Sequence, residues 1–103
     1  MVFIKSIYCD EKINRKKDKI IKKLKKGSLL LSTFLIIIGE GSNQLEIIDS
    51  VYLRQPHYKG KEVVVVGISS SKKDALDIVT TITSEVYKAT SNANIKDYIR
   101  EGM

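Results

Sequence analysis

Apolar residues fall in blocks along this chain, and their spacing alternates between continuous and helical. Residues 2–8, Val-Phe-Ile-Lys-Ser-Ile-Tyr, predict a first strand. Asp10 is a suitable N-cap for a helix running to about Lys26. Ile13, Ile20, Ile21 and Leu24 form its thin apolar stripe, with the stem of Lys17 filling the gap. Gly27 suits the position just past its end. A second apolar block, residues 29–38, predicts a strand from Phe34 onward, with Leu35, Ile36, Ile37 and Ile38 continuous. After Gly39-Glu40-Gly41-Ser42-Asn43, the residues Leu45, Ile48 and Tyr52, joined by Ile47 and Val51, recur at helical spacing. Asn43 and Glu46 are spaced like a capping box, and Pro56 marks the end. The third block, Val63, Val64, Val65, Val66 and Ile68, is β-branched and continuous, which predicts a strand covered on both faces. Ser71 and Asp74 then open a helix whose inner face is Ala75, Val79, Ile82, Val86 and Ala89. Ile95, Tyr98 and Ile99 suggest a short closing helix.

The pattern predicts a single α/β domain over residues 1–103, with order βαβαβα and a short C-terminal helix. Helices between strands imply parallel pairing and right-handed crossovers. The expected architecture is a small, mainly parallel three-stranded sheet in strand order 2-1-3, with helices on both faces. Open apolar edges in such a sheet invite pairing, so self-association, with a homodimer as its simplest form, is expected.

Composition narrows the class. A chain of 103 residues is long enough for one core without staples. The single cysteine excludes an intramolecular disulfide, and no Cys/His zinc spacing is present. The longest apolar run is about half what a membrane span needs. The opening residues lack the pattern of a secretory signal, so a cytoplasmic protein without membrane association is expected. The formal charge of +6 is uneven: residues 1–27 hold ten basic and three acidic residues, and the remainder is close to neutral.

Candidate chemistry follows from the expected sheet. Ligands of parallel sheets bind beyond the carboxyl ends of the strands, where helix N-termini favour anions. An anionic ligand is therefore expected at two Gly/Ser loops, with Gly39, Gly41, Ser42, Asn43, Ser69, Ser70, Ser71 and Lys72 as candidate residues. Neither loop carries the full dinucleotide or P-loop pattern, and Gly and Ser also serve plain turns. The alternative is a nucleic-acid-binding surface on the Lys-rich helix 12–26, through Arg15, Lys16, Lys19, Lys22, Lys23 and Lys26. The charges lack aromatic interleaving, and a solvated basic face is the simpler account of them. No catalytic set assembles. Cys9 lies at a strand end and His57, the one histidine, at the opposite end of a parallel sheet. Asp10 and Glu40 could converge as a carboxylate pair, though nothing in their spacing requires a metal. No cofactor is implied.

The segment 58–87, YKGKEVVVVGISSSKKDALDIVTTITSEVY, resembles a group of short uncharacterised bacterial α/β proteins. They share a strand ending in VVG(I/L), a small-residue turn and an ALxLV…EVY helix, sometimes with a closing aromatic helix like residues 95–99. The resemblance implies a bacterial cytoplasmic α/β protein and brings no catalytic residue. The expectation is a small binding or interaction protein, with an enzyme ranked behind both binding readings.

Overall fold

The computed structural model describes residues 2–26, 32–38, 44–54 and 63–90. In chain order these form β1 (Val2–Cys9), α1 (Glu11–Asn14), α2 (Lys17–Lys25), β2 (Phe34–Ile38) and β3 (Leu45–Asp49). A 3-10 turn (Ser50–Arg54), β4 (Val64–Ser69) and α3 (Lys72–Thr90) follow.

The four strands make one mixed sheet in the order β1-β4-β2-β3. β4 runs parallel to β1, with Val2 opposite Val64 and Cys9 opposite Ile68. It runs antiparallel to β2, with Ile38 opposite Val64 and Phe34 opposite Ser69. β2 and β3 are antiparallel, from Phe34 opposite Asp49 to Ile38 opposite Leu45. Leu35, Ile36, Ile37, Val65, Val66 and Ile68 are fully buried. Neighbouring residues of a strand point to opposite faces, so the two central strands, β2 and β4, are dry on both. Ile20 and Leu24 of α2 and Ala75, Ile82 and Val86 of α3 join the same core.

This arrangement corrects the expected three-stranded, mainly parallel sheet of order 2-1-3. The last strand does lie beside the first and parallel to it. The strand at residues 34–38, however, pairs with β4 instead of β1, and it runs the other way. The chain predicted as a second helix is β3 followed by the 3-10 turn. Leu45, Ile48 and Tyr52 have helical spacing, but Ile47 and Ile48 are β-branched and suit a pleated surface. The decisive term is tertiary. Only residues 39–44 separate β2 from β3, too few for the crossover a parallel strand needs and short enough for a hairpin. Pairing with β3 also satisfies the backbone groups along the edge of β2, which would otherwise lie unpaired beside a dry strand. The βαβαβα order therefore does not hold. The helix expected from Asp10 to Lys26 is also broken, at Arg15–Lys16, where Lys16 leaves helical geometry (φ −134°, ψ 32°). Asn14 is a weak helix former, and like charges at Lys12 and Lys16, four residues apart, would repel on a continuous helix. The closing helix expected near residues 95–99 lies outside the described residues.

β4 carries a bulge. Val65 and Gly67 pair with the adjacent residues Ile37 and Ile36, leaving Val66 as the extra residue. Gly67 consequently faces α3. A Cβ at this position would lie 3.0 Å from Ile36 Cδ1, 3.2 Å from Ile78 Cγ2 and 3.2 Å from the Tyr8 carbonyl oxygen. The side chain of Tyr8, opposite Gly67, donates a hydrogen bond to Glu85 on α3. At the other end of β1, the ammonium of Lys25 on α2 sits 5.7 Å above the Phe3 ring.

Gly67→Ala tests this seating. Two of the three contacts are side-chain methyls that can shift, but the Tyr8 carbonyl is backbone. The expected cost is about 1–3 kcal/mol from overpacking, read as a lower urea midpoint with unchanged slope. An unchanged midpoint would show that α3 does not lie against this strand.

Candidate functional site

Because β1 and β4 are parallel neighbours, their carboxyl ends adjoin, and Asp10 faces the turn that follows β4. Its Oδ1 accepts a hydrogen bond from the Ile13 amide at 2.8 Å, capping α1. Its Oδ2 accepts from the Ser70 amide at 2.6 Å and the Ser70 hydroxyl at 2.8 Å. The Ser69 hydroxyl, 3.2 Å from the same oxygen, also lies 2.7 Å from the Ser71 carbonyl and accepts from the Ser71 amide at 3.2 Å. Ser71 in turn caps α3: its hydroxyl accepts from the Asp74 amide at 3.1 Å and donates to the Asp74 carboxylate at 3.0 Å.

Burial by itself would raise the Asp10 carboxyl. The amides of Ser70 and Ile13 and the two serine hydroxyls outweigh that effect and hold it below the usual carboxylate range. The serine turn is thus already bound to an anion, and that anion belongs to the chain itself.

Beside this knot lies a cleft of about 280 Å³. Lys12, Lys16, Lys19 and Lys23 line it with Ile13 and Ile20, all from the segment spanning α1 and α2. Ser32 and Thr33, which lead into β2, and Ser70 complete the lining. Antiparallel pairing brings them together, since Phe34 lies opposite Ser69 at the carboxyl end of β4. The lysines are spaced four, three and four residues apart, so they share a side even across the break at Lys16. All four are exposed, whereas Ile13 and Ile20 are buried beneath them. The one ion pair among the described residues is Arg15 with Glu11, at 3.5 Å, and it involves none of these lysines. Asp10 is not part of the lining. Ser32 holds a left-handed backbone (φ 53°), a conformation that side chains other than glycine adopt at a cost.

The residues predicted from sequence separate accordingly. Ser69, Ser70 and Ser71 are built into the knot, and of these only Ser70 also reaches the cleft. Lys72 is exposed at the start of α3 and does not line the cleft. Gly39, Gly41, Ser42 and Asn43 lie outside the described residues, but Ile38, just before them, is opposite Val64 at the other end of β4. Lys16, Lys19 and Lys23 of the basic set line the cleft, while Arg15, Lys22 and Lys26 are exposed away from it. Lys12, Ser32 and Thr33 were not singled out from sequence. The four-three-four spacing of the lysines is the signal that points to Lys12; nothing local marks Ser32 and Thr33, which arrive through strand pairing.

Cys9 is half-buried beside Asp10, in a groove of about 300 Å³ shared with Asp74 and Asp77. Burial pushes its thiol upward; Lys17 opposes this and Asp10 reinforces it. A thiol so placed is a poor nucleophile. His57 and Glu40 lie outside the described residues. Among the described residues no group of three or more His, Cys, Asp or Glu side chains is placed to hold a metal, and no helix is long and apolar enough to cross a membrane.

The Asp10 knot makes a pH prediction with a definite sign. A carboxyl held below its ordinary range stabilises the fold fully above that range, and the contribution disappears as pH falls through the folded value. Asp10→Asn removes this component and leaves the donors of Ser69 and Ser70 poorly paired. The expected loss is about 1–3 kcal/mol at neutral pH, shrinking as both proteins are taken to about pH 2–3. Urea denaturation across that range checks it, and a gap independent of pH would exclude an ionised Asp10 as the source. No protein-family model, curated protein or solved structure matches this chain, so the roles of its residues rest on their geometry.

Proposed function

We propose that this is a small cytoplasmic binding protein that holds a phosphate-bearing ligand in the cleft lined by Lys12, Lys16, Lys19 and Lys23. The observation that carries this reading is the convergence of four exposed lysines on one cleft, with no acidic partner among the described residues. Ammonium groups are strongly hydrated point charges with three donors each, suited to phosphate oxygens. The reading keeps the expected anionic ligand at the carboxyl end of β4 and moves it off the serine turn, whose donors Asp10 uses. Binding without turnover fits a cleft whose described lining offers lysine, isoleucine, serine and threonine side chains and no Cys, His, Asp or Glu.

Nucleic acid is the second reading. Arg15, Lys22 and Lys26 are exposed and extend the basic surface beyond the cleft, as a backbone track would require. Self-association remains a separate proposal: β1 and β3 are the edges of the sheet, and either would accept a strand from a second copy. Light scattering decides that point, and a monomer mass at all concentrations removes it.

A thermal-shift screen at low ionic strength, using phosphate, pyrophosphate, nucleotides and a single-stranded oligonucleotide, tests the binding proposal. A phosphate-bearing compound is expected to raise the melting temperature. The double variant Lys19→Gln/Lys23→Gln is expected to hold or raise the unliganded melting temperature, since it relieves like-charge repulsion, and to weaken binding about tenfold or more. No shift with any anion, or an unweakened variant, would sink the cleft as a site.

A further inference from the structure

We infer that the ligand is recognised as a linear chain of linked phosphates, of the pyrophosphate or tripolyphosphate class, and not through a base or sugar. This rests on the cleft reading above and narrows it. Beyond the four lysines, the described lining offers Ile13, Ile20, Ser32, Thr33 and Ser70. Among the described residues it holds no aromatic ring on which a base would stack and no Asn, Gln, Asp or Glu to read a base edge. The Ser70 hydroxyl donates to Asp10, so it has no proton left for a ligand oxygen. What remains is a row of ammonium groups over an apolar floor, edged by Ser32 and Thr33.

The spacing of that row sets the shape of the ligand. α2 is regular between Lys17 and Lys25, so Lys19 and Lys23 are about 6 Å apart along its axis. Lys16 and Lys12 continue the series through the turn and α1. One phosphate group cannot meet all four ammoniums, whereas successive phosphates of a chain can. The volume of about 280 Å³ lies at the small end of ligand pockets and accommodates a short phosphate chain.

Isothermal titration calorimetry on the full chain separates the possibilities, using orthophosphate, pyrophosphate, tripolyphosphate, ADP, ATP and a single-stranded oligonucleotide. Affinity is expected to rise severalfold with each added phosphate, and ATP should bind no tighter than tripolyphosphate. Lys12→Gln should weaken tripolyphosphate severalfold and orthophosphate little. Lys73→Gln/Lys88→Gln, on the exposed side of α3, should change neither. ATP or the oligonucleotide binding tenfold tighter than tripolyphosphate would overturn the chain inference and leave a phosphate-bearing ligand standing. Equal affinity for orthophosphate and tripolyphosphate, or equal losses in the α3 double variant, would also overturn it. No heat with any anion, together with no shift in melting temperature, would remove the cleft reading itself.

Discussion

β4 lies inside the sheet with both faces dry, and the rest of the arrangement follows from what a dry strand requires. Val65, Val66 and Ile68 exclude water from its sides, so each amide and carbonyl must find a partner within the sheet or cost about 1–3 kcal/mol. β1 supplies one edge and β2 the other. The pairing extends to the residue before the strand, where the Val63 carbonyl accepts from the Val2 amide at 2.8 Å. Because the two neighbours run in opposite directions, the end of β1 and the start of β2 meet at the carboxyl end of β4. Asp10, Ser32, Thr33 and Ser70 are gathered there as a consequence of backbone pairing, although they are far apart in sequence.

The sequence pattern shows which segments are buried more reliably than how they pair. The runs at residues 34–38 and 63–68 are continuous in β-branched and aliphatic residues, and that alone implies strands without a wet face. Ser71 and Asp74, with Ala75, Ile82 and Val86, mark α3 and its inner side. Direction is a different matter. Whether β2 runs with or against β4 depends on the path the chain takes between α2 and Phe34, and no local residue reports it. β3 was hidden for another reason. Leu45, Ile48 and Tyr52 have the spacing of a helix, and a strand is preferred only once the open edge of β2 is recognised as a surface to be paired. Two assumptions failed together, since a helix in place of β3 was what made parallel crossovers seem necessary.

Part of the site was legible and part was not. Asp10 could be recognised as a helix cap from its position before Glu11 and Ile13, and the structure gives its Oδ1 that role. Its Oδ2 has a second role toward Ser69 and Ser70, nearly sixty residues away, which no sequence spacing encodes. The basic residues were visible as a cluster of charge. Their division into Lys12, Lys16, Lys19 and Lys23 along a cleft and Arg15, Lys22 and Lys26 outside it required the position of Ile13 and Ile20 in the core, because these two fix the rotation of α1 and α2.

The two anion questions raised by this chain have different physical answers because one of them is settled internally. A turn of small residues opening a long helix offers amides and hydroxyls to negative charge, and Asp10 reaches them at the entropic cost of ordering one side chain. A free ligand competing for the same donors would have to displace a tethered carboxylate that is already paired with the Ser70 amide and both serine hydroxyls. The lysines have no such internal partner among the described residues. Their mutual repulsion is a standing cost that the buried Ile13 and Ile20 offset by fixing the backbone beneath them. A polyanion in the cleft would relieve that repulsion and gain attraction in the same step, so its binding energy is electrostatic and must weaken with salt. Any selectivity then depends on how charge is distributed along the ligand, which is why the spacing of the lysines, and not their number, carries the information at this site.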